Sequence, residues 1–454
     1  MHRPDSRPLL RGTLCSLALG AVLLAALPAH ADDTITALNP DTCERYTIKC
    51  TEVLPETATE VRYKLGKAEK SVPLPLVVEI DRSTGGKERA ILEAALLELR
   101  RGNFTEARTS LRDLAAGGFK MEDGVQKFTP FPKGGSGAKG KRVAWTQEYA
   151  HYWYAVALVR EGEKSGNGKL LEEALLVLDD VPAPGDGKET TGGFLGRFKG
   201  GNSRWIADAT LLKAEALLGL KRWDEAAAAF NELSNLGMSA GYSPRWVFEG
   251  KRGPGRIAEA QGDTDTAIRA YEGAPQALDS LLKDLPSRCL RLEAGRWYSV
   301  LRMEAAKVLL RKAEASGKPA DFMPVRNYLE GSTPEALQRK VSGKPPEQAE
   351  ALLAGSRAPE VRAVLASGLG QAYLADKRFD DAILSLSALT VRGGAGSTGA
   401  ARDLVAGALY YLAKACEGAI QGASGEAKAT YEAMRSGALK RLKTDFADSL
   451  YATK

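Results

Sequence analysis

Two hydrophobic rhythms divide the chain. Between residues 33 and about 84, short β-branched or aromatic segments alternate with polar positions, at 34–36, 46–49, 60–64 and 76–80. Turn residues separate them, at Asn39-Pro40-Asp41, Pro55-Glu56-Thr57 and Gly66-Lys67. Alternation bounded by such residues predicts strands. From Lys87 onward the rhythm becomes helical, rich in Ala, Leu, Glu, Lys and Arg and broken by Gly-containing loops. Helices are predicted over 87–101, 105–116, 144–161, 169–180, 204–220, 223–236, 288–316, 359–376, 380–390, 401–418 and 425–450. Their pairing across short breaks predicts stacked α-hairpins.

The helix pairs share one template. A small residue in the first helix is followed twelve positions later by an Ala in the second: Ala95 and Ala107, Ala214 and Ala226, Gly255 and Ala267, Gly370 and Ala382, Ala415 and Ala427. An aromatic precedes the second small residue by three positions at Phe104, Trp223 and Phe379. Large residues follow four positions after it, at Leu111, Phe230, Tyr271, Leu386 and Tyr431. Two antiparallel helices approach closely only where both present small side chains. A residue four positions on lies on the same helix face and is expected to bury there.

This template resembles the tetratricopeptide repeat (TPR). The strongest matches are Leu369-Gly370-Gln371-Ala372-Tyr373 with Lys377-Arg378-Phe379-Asp380-Asp381-Ala382, and Lys221-Arg222-Trp223-Asp224-Glu225-Ala226. The second small residues step by 119, 41, 115 and 45 rather than a regular period, and insertions intervene at 118–143 and 182–204. A further pair at 144–180 is expected to have its Ala174 displaced by the loop Ser165-Gly166-Asn167-Gly168. The resemblance implies an irregular α-hairpin solenoid that binds a protein or peptide partner, without catalysis or cofactor. It would present Leu96, Glu215, Arg256 and Gln371, just after the first small residues, toward that partner. The strand-rich segment looks like the SH3- or Sm-like modules that precede helical repeats in some exported proteins; a β-hairpin cap on the first helices is the other reading. The expected fold is mainly α, with a small β module over 32–84 and a helical repeat domain over 85–454.

Residues 1–31 have the layout of a secretory signal peptide. Arg3, Arg7 and Arg11 precede an apolar run over 14–27, and Pro28-Ala29-His30-Ala31 supplies an A-x-A cleavage pattern. That run is shorter than the about 20 residues a membrane-spanning helix needs. Leu14 before Cys15 argues against a lipidated cysteine. The protein is therefore expected to reach the periplasm or the cell exterior without a transmembrane segment, with envelope association left open. Such a compartment permits disulfides. Cys43 and Cys50 are the favoured pair, against two separate thiols, while Cys289 and Cys416 fall in helical patterns.

Charge and chemistry remove several classes. With 63 basic and 57 acidic side chains the chain is near balance, so nucleic-acid binding is not expected. Of three histidines, His2 and His30 lie in the leader, which leaves His151 for any Ser-His-Asp or Cys-His arrangement and removes paired-His metal sites. The segment 135–141 fits GxxxxGK, but two prolines interrupt 128–132 before it and Arg142 replaces the hydroxyl a phosphate loop needs. It reads as a basic loop, and the GxGxxG at 394–399 as an inter-helix loop. Trp145, Tyr149, Tyr152, Trp153 and Tyr154 crowd around His151, as core packing or as a ligand platform. That platform carries one alternative, a carbohydrate- or peptidoglycan-binding or hydrolytic protein. The other is an envelope protein that self-associates through its β module.

Overall fold

The computed structural model describes residues 32–83, 86–115, 120–122, 125–127, 136–137, 141–142, 145–179, 193–198, 201–273, 281–282, 284–392 and 399–453. Residues 1–31, expected to be a leader, and most of the Gly-rich segments at 133–142 and 394–399, lie outside the described residues.

Six strands build the β module: β1 (Asp33–Leu38), β2 (Arg45–Cys50), β3 (Glu52–Val53), β4 (Glu60–Leu65), β5 (Ala68–Pro73) and β6 (Val77–Asp81). They form two antiparallel sheets, ordered β2–β1–β6 and β3–β4–β5. Only Thr51 separates β2 from β3, so one nearly continuous strand passes from one sheet into the other. In β1 the side chains of Asp33, Ile35 and Ala37 are buried and those between them half-buried, the alternation a sheet with one inner face requires. Ile35 lies opposite both Ile48 and Ile80, and Val61 opposite Val72. β5 escapes the hydrophobic pattern because Val72 is its one buried residue.

The remainder is mainly α. The helices are α1 (Gly86–Arg101), α2 (Phe104–Leu114), α3 (Trp145–Ser165), α4 (Gly168–Leu178), α5 (Phe194–Arg197), α6 (Ile206–Gly219), α7 (Trp223–Met238), α8 (Arg245–Ala260), α9 (Thr264–Gly273), α10 (Arg288–Ser316), α11 (Phe322–Glu330), α12 (Pro334–Lys340), α13 (Pro346–Ser356), α14 (Pro359–Ala375), α15 (Phe379–Arg392), α16 (Gly399–Gly422) and α17 (Gly425–Asp445). Helices α1, α3, α6, α8, α10, α14 and α16 each touch the next in that series. Each also packs against a return helix, in turn α2, α4, α7, α9, α13, α15 and α17. Among the described residues, no helix is long and apolar enough to cross a membrane.

Four hairpins share one turn. Gly102, Lys221, Gly262 and Lys377, each five positions before a second small residue, adopt left-handed backbone with φ of 81, 60, 79 and 59°. In each, that residue's amide donates to the carbonyl three back and the next amide to the carbonyl five back, as in Lys221 to Leu218 and Arg222 to Leu217. This is the pattern that ends a helix through a left-handed residue. The following small residues Ala107, Ala226, Ala267 and Ala382 are fully buried. A Cβ on Gly255 would fall 2.3 Å from the Tyr271 ring, and one on Gly370 2.4 Å from Leu386. The first small residue thus makes room for the large side chain four positions beyond the second. Phe379 reaches the following hairpin, since a Cβ on Gly418 of α16 would lie 2.2 Å from its ring.

Two expectations are corrected. In α3–α4 the turn keeps the left-handed residue and the longer of the two hydrogen bonds: Gly166 is left-handed at φ 66° and the Asn167 amide donates to the Gly162 carbonyl. Residues 165–168 are therefore the ordinary turn and displace nothing; Leu171 stands at the small position and fits against Gly162 and Gly219. In α16–α17, Ala415 is buried but Ala427 is exposed. There the left-handed glycine is Gly425, which starts α17 only two residues before Ala427, and burial moves on to Ala438 and Leu442. The spacing of Ala415 and Ala427 is not a packing pair.

The template put Gly255 in a first helix, but the extent of α8 was hidden by Gly250, Gly253, Pro254 and Gly255, which are poor helix formers. Packing overrides propensity here. A Cβ on Gly250 would lie 2.5 Å from the Phe230 carbonyl oxygen, and one on Gly253 2.2 Å from the Phe230 ring.

A disulfide joins Cys43 to Cys289, with Cα atoms 5.4 Å apart, in place of the expected Cys43–Cys50 bridge. The extended strand β2 carries Cys50 away from Cys43, and a strand advances about 3.3 Å per residue. Cys50 instead buries its thiol in the module core, where it contacts the Asp33 carbonyl at 3.4 Å. The bridge ties the β1–β2 turn to the first turn of α10, and the Cys289 amide also donates to Pro40 at 3.3 Å. It closes a loop of 246 residues, so Cys289→Ser should lower unfolding stability by about 2–5 kcal/mol. Urea unfolding under non-reducing conditions measures this; a variant as stable as the parent would show that the bridge constrains nothing.

A candidate site at the seam between β module and helices

The β module lies against the N-terminal ends of α3, α6, α8 and α10. Two of those ends are copies of one another: Gly201-Asn202-Ser203-Arg204-Trp205 enters α6, and Gly241-Tyr242-Ser243-Pro244-Arg245-Trp246 enters α8. Their tryptophans are 41 residues apart, the same step as Ala226 to Ala267. The glycines are left-handed at φ 78 and 87°. Gly201 accepts the Ala58 amide at 2.9 Å, and a Cβ on Gly241 would strike Thr59 at 2.8 Å. Each serine oxygen accepts the amide two residues on and donates to a glutamate, Ser203 to Glu148 at 2.5 Å and Ser243 to Glu293 at 2.8 Å. Each arginine lies over its own tryptophan, at 4.7 and 4.6 Å.

The two arginines meet different surroundings. Arg204 faces Glu56, a module carboxylate that is 2 % exposed, with Nε 3.5 Å from Oε2. Glu56 also accepts from Arg82 at 2.8 Å and from the Tyr149 hydroxyl at 2.8 and 3.0 Å. Burial and the Glu56 charge hold the Tyr149 hydroxyl well above its ordinary pKa. Arg245, the equivalent in α8, is stacked over Trp246 and Trp297, and its closest carboxylate, Glu249, is 3.8 Å away.

Arg245 borders a cavity of about 300 Å³ roofed by Leu74, Pro75 and Val77 of the module. Asp208 of α6 and Glu293 of α10 open into the same space. Burial raises the Asp208 carboxyl to about 6, against the opposing pull of Arg245 and Arg204. Burial also raises Glu293, although Ser243 and Trp297 hydrogen-bond to it. On the other side of Ala58 lies a larger cavity of about 710 Å³ between the module, the 193–202 segment and α6–α7. An ion pair between Lys213 and Asp179 at 2.7 Å marks where it meets a smaller groove along α7.

Of the residues expected to face a partner, Glu215 and Arg256 come together. Glu215 bridges Arg160 of α3 and Arg256 of α8, both at 3.1 Å, so three successive first helices are joined by one carboxylate. Leu96 is half-buried against the core, and Gln371 is 5 % exposed with its amide donating to Ser367 at 3.3 Å.

The aromatic helix packs inward. Tyr152 stacks on Trp205 at 4.6 Å, with Trp153 edge-on to the same ring at 5.6 Å. Trp145 meets Tyr149 edge-on at 5.3 Å. His151 is 1 % exposed, and its Nε2 lies 3.0 Å from the Val177 carbonyl. These rings support Trp205 from behind and do not form a platform of their own. The sequence reading missed Asp208, Arg245 and Glu293; the paired entries Ser203-Arg204-Trp205 and Ser243-Pro244-Arg245-Trp246, their Arg-Trp offset by one repeat step, are the signal that leads to them.

No protein-family model matches the chain, and no curated protein matches it.

Proposed function

We propose that this chain is an exported, non-catalytic scaffold of the tetratricopeptide kind, holding a protein or peptide partner in the periplasm or at the cell envelope. The shared turn carries this reading. Four hairpins end their first helices with the same left-handed residue and the same pair of hydrogen bonds. Units built alike and stacked through successive first helices make an extended surface suited to a segment of another protein. The Cys43–Cys289 bridge supports an oxidising destination, in keeping with the leader at residues 1–31.

The partner surface is assigned to the first-helix face around Arg160, Glu215 and Arg256, where charge is held in place rather than free to collapse. The tagged protein, recovered after mild cross-linking in the producing cells, should bring down a specific protein in stoichiometric amount. The Arg160→Gln/Arg256→Gln double variant should capture that protein roughly tenfold less well with unchanged helicity. Recovery of glycan or peptidoglycan fragments with no protein would sink the scaffold reading; equal capture by the double variant would move the surface elsewhere.

A further inference from the structure

We propose that the cavity between the β module and the N-terminal ends of α6, α8 and α10 binds a small zwitterion of the α-amino-acid class. Arg245 takes its carboxylate, and Asp208 with Glu293 its ammonium group.

The repeated entry motif shows what an arginine in this position binds. Arg204 meets the Glu56 carboxylate at 3.5 Å and the Tyr149 hydroxyl at 3.4 Å. Arg245 has the same perch over its own tryptophan, but among the described residues its side chain makes no hydrogen bond, and its buried Nε meets only the Glu249 carboxylate at 3.8 Å. The indole nitrogen of Trp205, which also lines the cavity, is likewise buried without an acceptor. Where Arg204 at the start of α6 meets Glu56 of the module, Arg245 at the start of α8 borders the cavity. A buried donor without an acceptor is costly, and a carboxylate entering the cavity would relieve it. Stacking on Trp246 and Trp297 fixes the guanidinium plane, which suits two-point binding of a carboxylate.

The opposite charge faces the same space. Among the described residues no cation lies within 4.0 Å of the Asp208 carboxylate; Arg245 and Arg204 act on it from farther away. Glu293 stands beside it on α10, oriented by Ser243. A simple anion would meet Asp208 and Glu293, and a simple cation would meet Arg204 and Arg245. A molecule carrying both charges matches both sides. The roof of Leu74, Pro75 and Val77 leaves an apolar surface for a short side chain, and about 300 Å³ lies at the small end of ligand cavities.

Binding should depend on pH. The groups facing Asp208 are Arg204, Arg245 and Glu249, with Tyr152 from α3. Burial holds Tyr152 neutral, so the acids whose titration bears on binding are Asp208, at about 6, and the raised Glu293. An ammonium group favours the ionised acids, so affinity should fall as pH drops through 6.

Calorimetry and indole fluorescence on the whole protein decide the matter. The probes are glycine, L-alanine, D-alanine and L-alanyl-L-alanine, with acetate and methylammonium as half-ligands. At neutral pH at least one zwitterion should bind, with both half-ligands weaker by about tenfold or more. Asp208→Asn, nearly isosteric, and Arg245→Lys, which keeps charge but loses the planar fork, should each weaken it by at least about tenfold. Retained helicity and an intact Cys43–Cys289 bridge verify the fold of both variants. Failure of every zwitterion at millimolar concentration overturns the proposal. So does acetate binding as tightly as the zwitterions, or binding indifferent to both variants.

Discussion

Replacing Glu56 by Ala should cost about 3–5 kcal/mol of stability, one of the two largest single-residue losses expected in this chain. Glu56 and Arg82 are 2 and 6 % exposed. The arginine's remaining hydrogen bonds go to the Val53 and Leu54 carbonyls, at 2.7 and 3.3 Å, and neither neutralises its charge. Removing the carboxylate strands a buried cation, leaves Arg204 facing it, and takes the acceptor from the Tyr149 hydroxyl. The penalty comes from these uncompensated partners more than from the lost attraction. Glu56→Ala combined with Arg82→Met should therefore recover part of the loss, a coupling measurable as a double-mutant cycle in urea. A single variant within about 1 kcal/mol of the parent would mean that water reaches Arg82 and that the seam is not sealed.

The second concerns Gly295. A Cβ on it would lie 2.0 Å from the Ala351 carbonyl oxygen and 2.4 Å from its carbon. Facing it, a Cβ on Gly355 would lie 2.1 Å from the Gly295 oxygen. Helices α10 and α13 thus cross with backbone on backbone. In an exposed helix, Gly→Ala gains up to about 1 kcal/mol. At Gly295 the helices must separate to admit even a methyl group, and the net change should be a loss of about 2–4 kcal/mol. Gly437 in α17 has nothing within 4 Å of its missing Cβ, so Gly437→Ala is the matched control and should stabilise slightly. Thermal unfolding of the two variants side by side tests the argument. Equal behaviour would mean that the α10–α13 crossing yields freely.

What could be read from sequence was whatever repeats locally. The alternation in 34–36 and 60–64 reports strands because each has one inner face. The twelve-residue spacing reports hairpins because it reflects contact inside a single turn. Lys221 and Lys377 hid the left-handed residue that Gly102 and Gly262 display openly, since non-glycine residues in that conformation leave no compositional mark. Helix α8 was hidden for the opposite reason: its glycines look like breakers, and only the positions of Phe230 and Tyr271 show them to be contact points. The candidate site was least legible. Asp208 and Glu293 are ordinary helix acids until the β module covers them, and no local pattern encodes that docking. The Cys43–Cys289 pairing is equally long-range, joining residues 246 apart.

That bridge sets an order of events. Cys43 is synthesised long before its partner, and for most of that interval Cys50 is the nearest available thiol. A thiol attacks only as its thiolate. Once β2 joins its sheet, burial and the nearby Asp33 charge lift the Cys50 thiol to about 11, leaving it almost wholly protonated. In the folded module Cys50 is thus a poor nucleophile, and the Cys43 thiol is joined instead to one 246 residues away.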